Sequence, residues 1–194
     1  MTAVQHHAHT DVLVEQDIVT HQLARRALAV LRIGFGLTFL WAFFDKLLAL
    51  GYATGKSAET GVVDYFGPDA WINGGSPTFG FLSFGVSEDN PFHDAFGSIA
   101  GDGWTNWLFM LGLLGIGLAL LLGIGMRLAA VSGAVLYLLM WVASMPLENN
   151  PVVDDHLMGA VTVVVLAVTL AGDTWGLGRV WAQTHLVRRF PVLR

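Results

Sequence analysis

Residues 28–50 read LAVLRIGFGLTFLWAFFDKLLAL, a run with no proline and only three charged side chains, Arg32, Asp45 and Lys46. About 20 apolar residues suffice for a helix to cross the hydrocarbon core of a bilayer, so this stretch reads as a membrane span. Three more runs have the same character: Trp104 to Ile124, Leu128 to Met145, and a shorter one from Leu157 to Ala171. The fourth reaches spanning length only by drawing Asp155 and His156 into its first turn. Hydrophobic residues at 54%, charged residues at 13% and a mean hydropathy of +0.59 place the whole chain in the same class. The expected fold is an all-α membrane protein, a bundle of four transmembrane helices.

The arginines orient that bundle. Arg25 and Arg26 precede the first span, Arg127 lies in the turn between the second and third, and Arg179, Arg188, Arg189 and Arg194 follow the fourth. Between Gly51 and Gly103 Lys56 is the only basic residue, against Glu59, Asp64, Asp69, Glu88, Asp89, Asp94 and Asp102. The positive-inside rule then puts both termini in the cytoplasm and the acidic loop outside. Three regions follow: a flexible cytoplasmic tail over 1–24, a four-helix membrane domain over 25–178 with its outer loop at 51–103, and a basic cytoplasmic tail over 179–194. Asp11, Glu15 and Asp17 ahead of a long first span argue against a cleaved signal peptide. The net charge of -5 arises largely in the outer loop, and no soluble basic patch suggests a nucleic-acid partner.

Cysteine is absent, which excludes thiol-disulfide exchange, a thiolate nucleophile and cysteine-ligated iron-sulfur or zinc centres in this chain. Haem is disfavoured too, since His156 is the only histidine at a span boundary and His93 in the loop is its one conceivable counterpart. His6, His7 and His9 cluster in the N-terminal tail, but a mobile terminus lacks the fixed geometry of a metal site, and none is expected.

Packing signals are of two kinds. Gly115, Ala119 and Gly123 repeat at four-residue spacing, as do Ala129 and Gly133, so the second and third spans are expected to form a close antiparallel hairpin. The outer loop carries Tyr52, Tyr65, Phe66, Trp71, Phe79, Phe81, Phe84, Phe92 and Phe96 between glycine and proline breaks. Short pieces lying over the bundle, as a lid or as a headgroup anchor, would bury those rings.

Ionisable groups at membrane depth are expensive and therefore candidates for function. Asp45 lies about 25 Å along the first helix from Leu28, too deep for a short side chain to reach water, so it needs a partner in the bundle. Lys46 and Arg32 are long enough to snorkel outward. At the same outer level Asp154, Asp155 and His156 open the fourth span, where Asp154 suits the helix N-cap and His156 can exchange protons near neutral pH. Asp45, Lys46, Asp155 and His156 are the candidate catalytic set. Tyr137, Trp141 and Ser144 share a face of the third span and could flank a quinone, though ordinary packing plus an interfacial tryptophan is the favoured reading.

The runs Leu31-Arg32-Ile33-Gly34 and Phe39-Leu40-Trp41-Ala42-Phe43-Phe44-Asp45-Lys46 resemble the first helix of the DoxX/DoxD membrane proteins. Trp107 to Arg127, Asn149-Asn150-Pro151-Val152-Val153-Asp154-Asp155-His156 and Ala171-Gly172-Asp173-Thr174-Trp175-Gly176-Leu177-Gly178 look like the branch described as the large subunit of thiosulfate:quinone oxidoreductase. The resemblance implies a multi-pass subunit of a bacterial cytoplasmic membrane that oxidises thiosulfate to tetrathionate, reduces a quinone and works beside a second subunit or redox partner protein. Two alternatives are a non-catalytic scaffold or accessory subunit of a redox complex and, less favoured for want of a cytoplasmic polar path, a proton-coupled transporter.

Overall fold

The computed structural model describes residues 12–194, so the His6, His7 and His9 cluster lies outside the described residues. Among these residues the fold is all helical, with a lone bridge between Lys56 and Val63 and no strand. A short α1 (Glu15–Ile18) leads into α2 (Gln22–Leu48). The loop that follows holds a 3-10 turn (Trp71–Asn73), a π turn (Phe81–Gly85) and α3 (His93–Ser98). Then come α4 (Gly103–Leu122), α5 (Met126–Ala143) and α6 (Asp155–Val168), with α7 (Gly178–Ala182), α8 (His185–Arg189) and a 3-10 turn (Pro191–Leu193) at the end.

Three helices, α2, α4 and α5, are long and apolar enough to cross a membrane. Their outer faces are apolar, with Leu108, Leu128 and Val131 more than half exposed, as suits contact with lipid. The fourth expected span is the shorter α6, 14 residues long, whose rise is about 21 Å against a hydrocarbon core of about 30 Å. Its ends are fixed locally: the Asp154 side chain caps the start by accepting from the Leu157 amide at 2.8 Å, and Leu170, with φ 55, turns the chain away just past the last turn. The expected entry of Asp155 and His156 into the first turn is what the structure shows.

The bundle is assembled from two closely packed pairs, α2 with α4 and α5 with α6, joined through α4 and α5. Between them lies the core: Phe39, Phe43, Met110, Leu113, Ile116, Leu120, Met126, Ala129, Val163 and Leu166. The small-residue stripe runs differently from the expectation. Gly115 is exposed, and a methyl group built on it would meet nothing within 4 Å. The close approach of α4 is made by Gly117, two residues on, where a Cβ would lie 2.8 Å from Leu40 Cγ and 3.0 Å from the Leu40 backbone nitrogen. Gly36 is its counterpart on α2, with the Leu121 nitrogen 2.8 Å from the position of a Cβ. Both faces of α4 carry small residues, and spacing alone does not say which one meets α2. The α4–α5 turn does form a tight hairpin: Gly123, at φ 73, donates its amide to Ala119 O at 2.8 Å, and Gly125 follows at φ 60.

At the end of the bundle where this turn lies, Arg32 departs from its expected snorkelling. It is fully buried, and its guanidinium donates to the carbonyls of Leu120, Leu121, Ala171, Thr174 and Trp175. These belong to the last turn of α4 and to the chain after α6, where carbonyls have no partner within a helix and a positive charge is favoured. Beside it Glu15 is also fully buried; its amide donates to Asp173 Oδ2 at 2.9 Å and its carboxylate accepts from the Thr174 hydroxyl at 2.5 Å. Arg194 donates to the same Asp173 oxygen at 3.2 Å, so Glu15 and Arg194 meet at one carboxylate. The described part of the N-terminal tail is thus docked at Glu15, and the basic tail is held at Arg194. Burial raises the Glu15 carboxyl above the ordinary glutamate range, the Thr174 hydroxyl opposes that, and the neighbouring Asp173 charge adds to it.

Candidate functional site

At the opposite end of the bundle Asp45 closes α2. It is almost completely buried, and it accepts from the amides of Tyr52 at 3.1 Å and Ala53 at 2.9 Å. The partner foreseen for it was another side chain or a proton. Its actual partners are the first amides of the outer loop, which double back after Ala49 enters the left-handed region at φ 54. Asp45 therefore fixes how the loop leaves the helix.

His156 is held by its neighbours. Its Nδ1 lies 2.7 Å from Asp154 Oδ2 and 3.5 Å from Asp155 Oδ1. Asp154 serves two tasks, one oxygen capping α6 and the other orienting the imidazole. Burial alone would raise the Asp154 carboxyl, but hydrogen bonds from the Leu157 amide and the His156 ring outweigh it and hold the group below the ordinary aspartate range. Asp155 is exposed. Potential ligand atoms of Asp154, Asp155 and His156 fall within 4.8 Å of one another, a compact polar patch at the head of α6. Among the described residues no hydrogen bond or ion pair connects this patch to Asp45 or Lys46.

The three residues expected to flank a quinone have separate fates. Tyr137 packs edge-on against Phe39, with ring centroids 5.3 Å apart, and stands over Gly159, where a Cβ would meet the ring at 2.7 Å. Its ring centroid is 6.5 Å from that of His156. Trp141 donates its indole N–H to Val152 O at 3.0 Å, and Ser144 donates to Met140 O in its own helix at 2.9 Å. Trp141 and Ser144 thus spend their donors on backbone.

The space for a ligand is elsewhere. A cavity of about 1090 Å³ lies between the other face of α4 and α5 and the underside of the outer loop. Trp104, Leu108, Phe109 and Ile116 line it from α4, Ser132, Leu136 and Leu139 from α5, and Phe79, Phe81 and Phe96 from the loop. From Trp104 to Ile116 it runs about 18 Å along α4, roughly half the hydrocarbon thickness. The lining is mainly apolar with a few polar groups, the composition of a small-molecule site. Of the aromatic residues foreseen as a lid, Phe79, Phe81 and Phe96 form this roof, Trp71 packs edge-on against Trp107 at 4.7 Å, and Tyr52, Tyr65, Phe66, Phe84 and Phe92, like the outer sides of Phe79 and Phe81, are exposed.

Two asparagines hold the roof in place. Asn106 on α4 accepts from the Thr78 hydroxyl at 2.7 Å and the Ser76 hydroxyl at 3.0 Å, and donates to Gly101 O at 3.2 Å. Asn90 donates to the carbonyls of Val142, Ala143 and Met145 at the open end of α5. Both side chains are buried, and each amide bonds groups of the loop or of a helix end across the junction.

Lys46 and Lys56, the only lysines in the chain, both face this cavity, together with Asp69. Among the described residues neither ammonium has a carboxylate within ion-pair distance; Lys46 lies over the Phe109 ring, 5.9 Å from its centroid. Thr105 lines the same space, nine-tenths buried, with its hydroxyl oxygen making no hydrogen bond. Sequence reading had singled out Lys46 alone from this group, because the cavity depends on the gap between α4, α5 and the loop. A comparison of the chain with family models, curated proteins and solved structures finds no match.

Proposed function

We propose that this chain is an integral membrane redox subunit of the thiosulfate:quinone oxidoreductase kind that its DoxX/DoxD-like runs suggest, with a quinone bound in the cavity beneath the outer loop. The observation that carries the reading is the cavity itself: an apolar shaft of about 1090 Å³, with Lys46 and Thr105, whose buried hydroxyl has no partner, on its wall. In this reading α6 and its flanking turns complete a four-helix crossing, both termini are cytoplasmic and the roof faces outward in a bacterial cytoplasmic membrane. His156, Asp154 and Asp155 exchange protons with the outer side, Asp45 keeps the loop in register, and a second subunit supplies the redox centre that a chain without cysteine lacks. The quinone site accordingly moves from Tyr137, Trp141 and Ser144 to the opposite face of α5.

The test is thiosulfate-dependent quinone reduction by membranes containing this chain with its natural partners, comparing wild type with Thr105→Val and His156→Ala at matched protein levels. The reading expects activity in the wild type and a loss in both variants. Absence of activity in the intact wild-type complex, with no quinone co-purifying, overturns it. A scaffold role is the second reading, and it is favoured by the local satisfaction of Asp45, Trp141 and Ser144, whose polar atoms all bond nearby backbone.

A further inference from the structure

The shape and charge of the cavity suit a ligand that no redox reading requires. Its deep part, around Ile116, Ser132 and Leu136, is apolar apart from the Ser132 hydroxyl, which is spent on Leu128 O, whereas its cations come from Lys46 and Lys56. Lys46 belongs to the last turn of α2, Lys56 to the loop and Thr105 to the first turn of α4, all at the loop end of the bundle. Both lysines of a net acidic chain line one cavity, and neither has a carboxylate within ion-pair distance among the described residues, though Asp45 neighbours Lys46 and Lys56 is exposed to solvent. Asp69 is the one acid on the same wall, and it is exposed. Leu108, Val135 and Leu139 line the cavity and are also more than half exposed on the apolar exterior, so a tail can enter sideways from lipid.

We infer that this cavity binds a single-chain anionic amphiphile from the bilayer, a long-chain carboxylate, with its head at Lys46 and Lys56 and its tail along α4 toward Ile116. Such a ligand shares the apolar shaft with the proposed quinone and competes with it. The head is selected by charge and the tail by burial, so an uncharged alcohol of equal chain length binds through the tail alone.

The experiment uses the full chain in nanodiscs of zwitterionic lipid, titrated with palmitate and, in parallel, with hexadecanol at mildly alkaline pH. Wild type is expected to prefer palmitate by roughly tenfold, the scale of two partly shielded ion pairs. Lys46→Gln with Lys56→Gln abolishes that preference and leaves hexadecanol binding unchanged, which also shows that the variant is folded. Equal affinity of wild type for the two ligands, or a preference that survives the double substitution, overturns the inference. Quinone reduction measured on the intact complex with its second subunit separates the two readings: charge-selective palmitate binding by the chain with no quinone reduction by the complex refutes the redox role alone, and quinone reduction by the complex without charge-selective binding refutes this one alone.

Discussion

Arg32 offers a quantitative test of how the bundle is held. Its guanidinium is fully buried and serves five carbonyls, those of Leu120, Leu121, Ala171, Thr174 and Trp175. A hydrogen bond to a charged group contributes about 1.5–3 kcal/mol, but five bonds from one planar group are not additive. Replacing Arg32 with Met keeps the apolar stem and strands carbonyls that water cannot reach, so the loss is about 3–5 kcal/mol, the range seen when one side of a buried charged contact is removed. For a chain of this size that corresponds to a fall in Tm of about 10 °C. Arg32→Lys keeps the charge but cannot span both acceptor groups with one ammonium, and is expected to lose about half as much. The assay is thermal unfolding of the purified protein in detergent, followed by the monodisperse fraction on size-exclusion chromatography, with the lipid-facing Val131→Ala as control. A Tm for Arg32→Met within about 2 °C of wild type would refute the argument that this side chain ties α4 to the chain after α6.

Other outcomes follow from features already described. Gly117→Leu puts a branched side chain where a Cβ already meets Leu40 at 2.8 Å, and should destabilise the α2–α4 pair by about 1–3 kcal/mol, whereas Gly115→Leu is close to neutral in the same unfolding assay. Asn106→Ala removes the bonds to Ser76, Thr78 and Gly101 and should expose the loop to limited proteolysis at residues 74–101 while α4 and α5 stay protected. Because burial raises the Glu15 carboxyl, the folded state binds a proton there more tightly than the unfolded chain. The stability this contributes is complete below the ordinary glutamate value and is lost as pH rises through the folded one, so the protection of residues 15–18 against hydrogen exchange, relative to the intrinsic rate at each pH, should fall with rising pH, and Glu15→Gln should flatten the trend. The lowered Asp154 carboxyl has the opposite sign: its contribution is present above the ordinary aspartate value and disappears on acidification, so Asp154→Asn should reduce acid sensitivity at the start of α6.

The sequence foretold what depends on one segment at a time. Helices over the apolar runs, the Asp154 cap, the tight Gly123–Gly125 turn and short pieces within the outer loop all rest on local preferences, and all are present. What failed to show depends on where segments meet. Arg32 lies one turn from the start of an apolar run, which in isolation means snorkelling; its burial is intelligible only when two sets of helix-end carbonyls converge on it. Asp45 was expected to find a side chain because the loop's return over Tyr52 and Ala53 cannot be read from composition. Nor does composition reveal the cavity, which is bounded on α5 by Ser132, Leu136 and Leu139, residues with no distinctive chemistry of their own.

The sideways opening at Leu108, Val135 and Leu139 changes how occupancy should be reckoned. A ligand arriving that way is a solute of the membrane, and its chemical potential is set by its mole fraction among lipids rather than by its concentration in buffer. Half-saturation expressed in aqueous units will therefore drift with the amount of lipid or micelle added, while the same data plotted per lipid molecule fall on one curve. Detergents are themselves amphiphiles, so an anionic one used in purification becomes an inhibitor already installed at the site, and titrations belong in zwitterionic or nonionic surroundings.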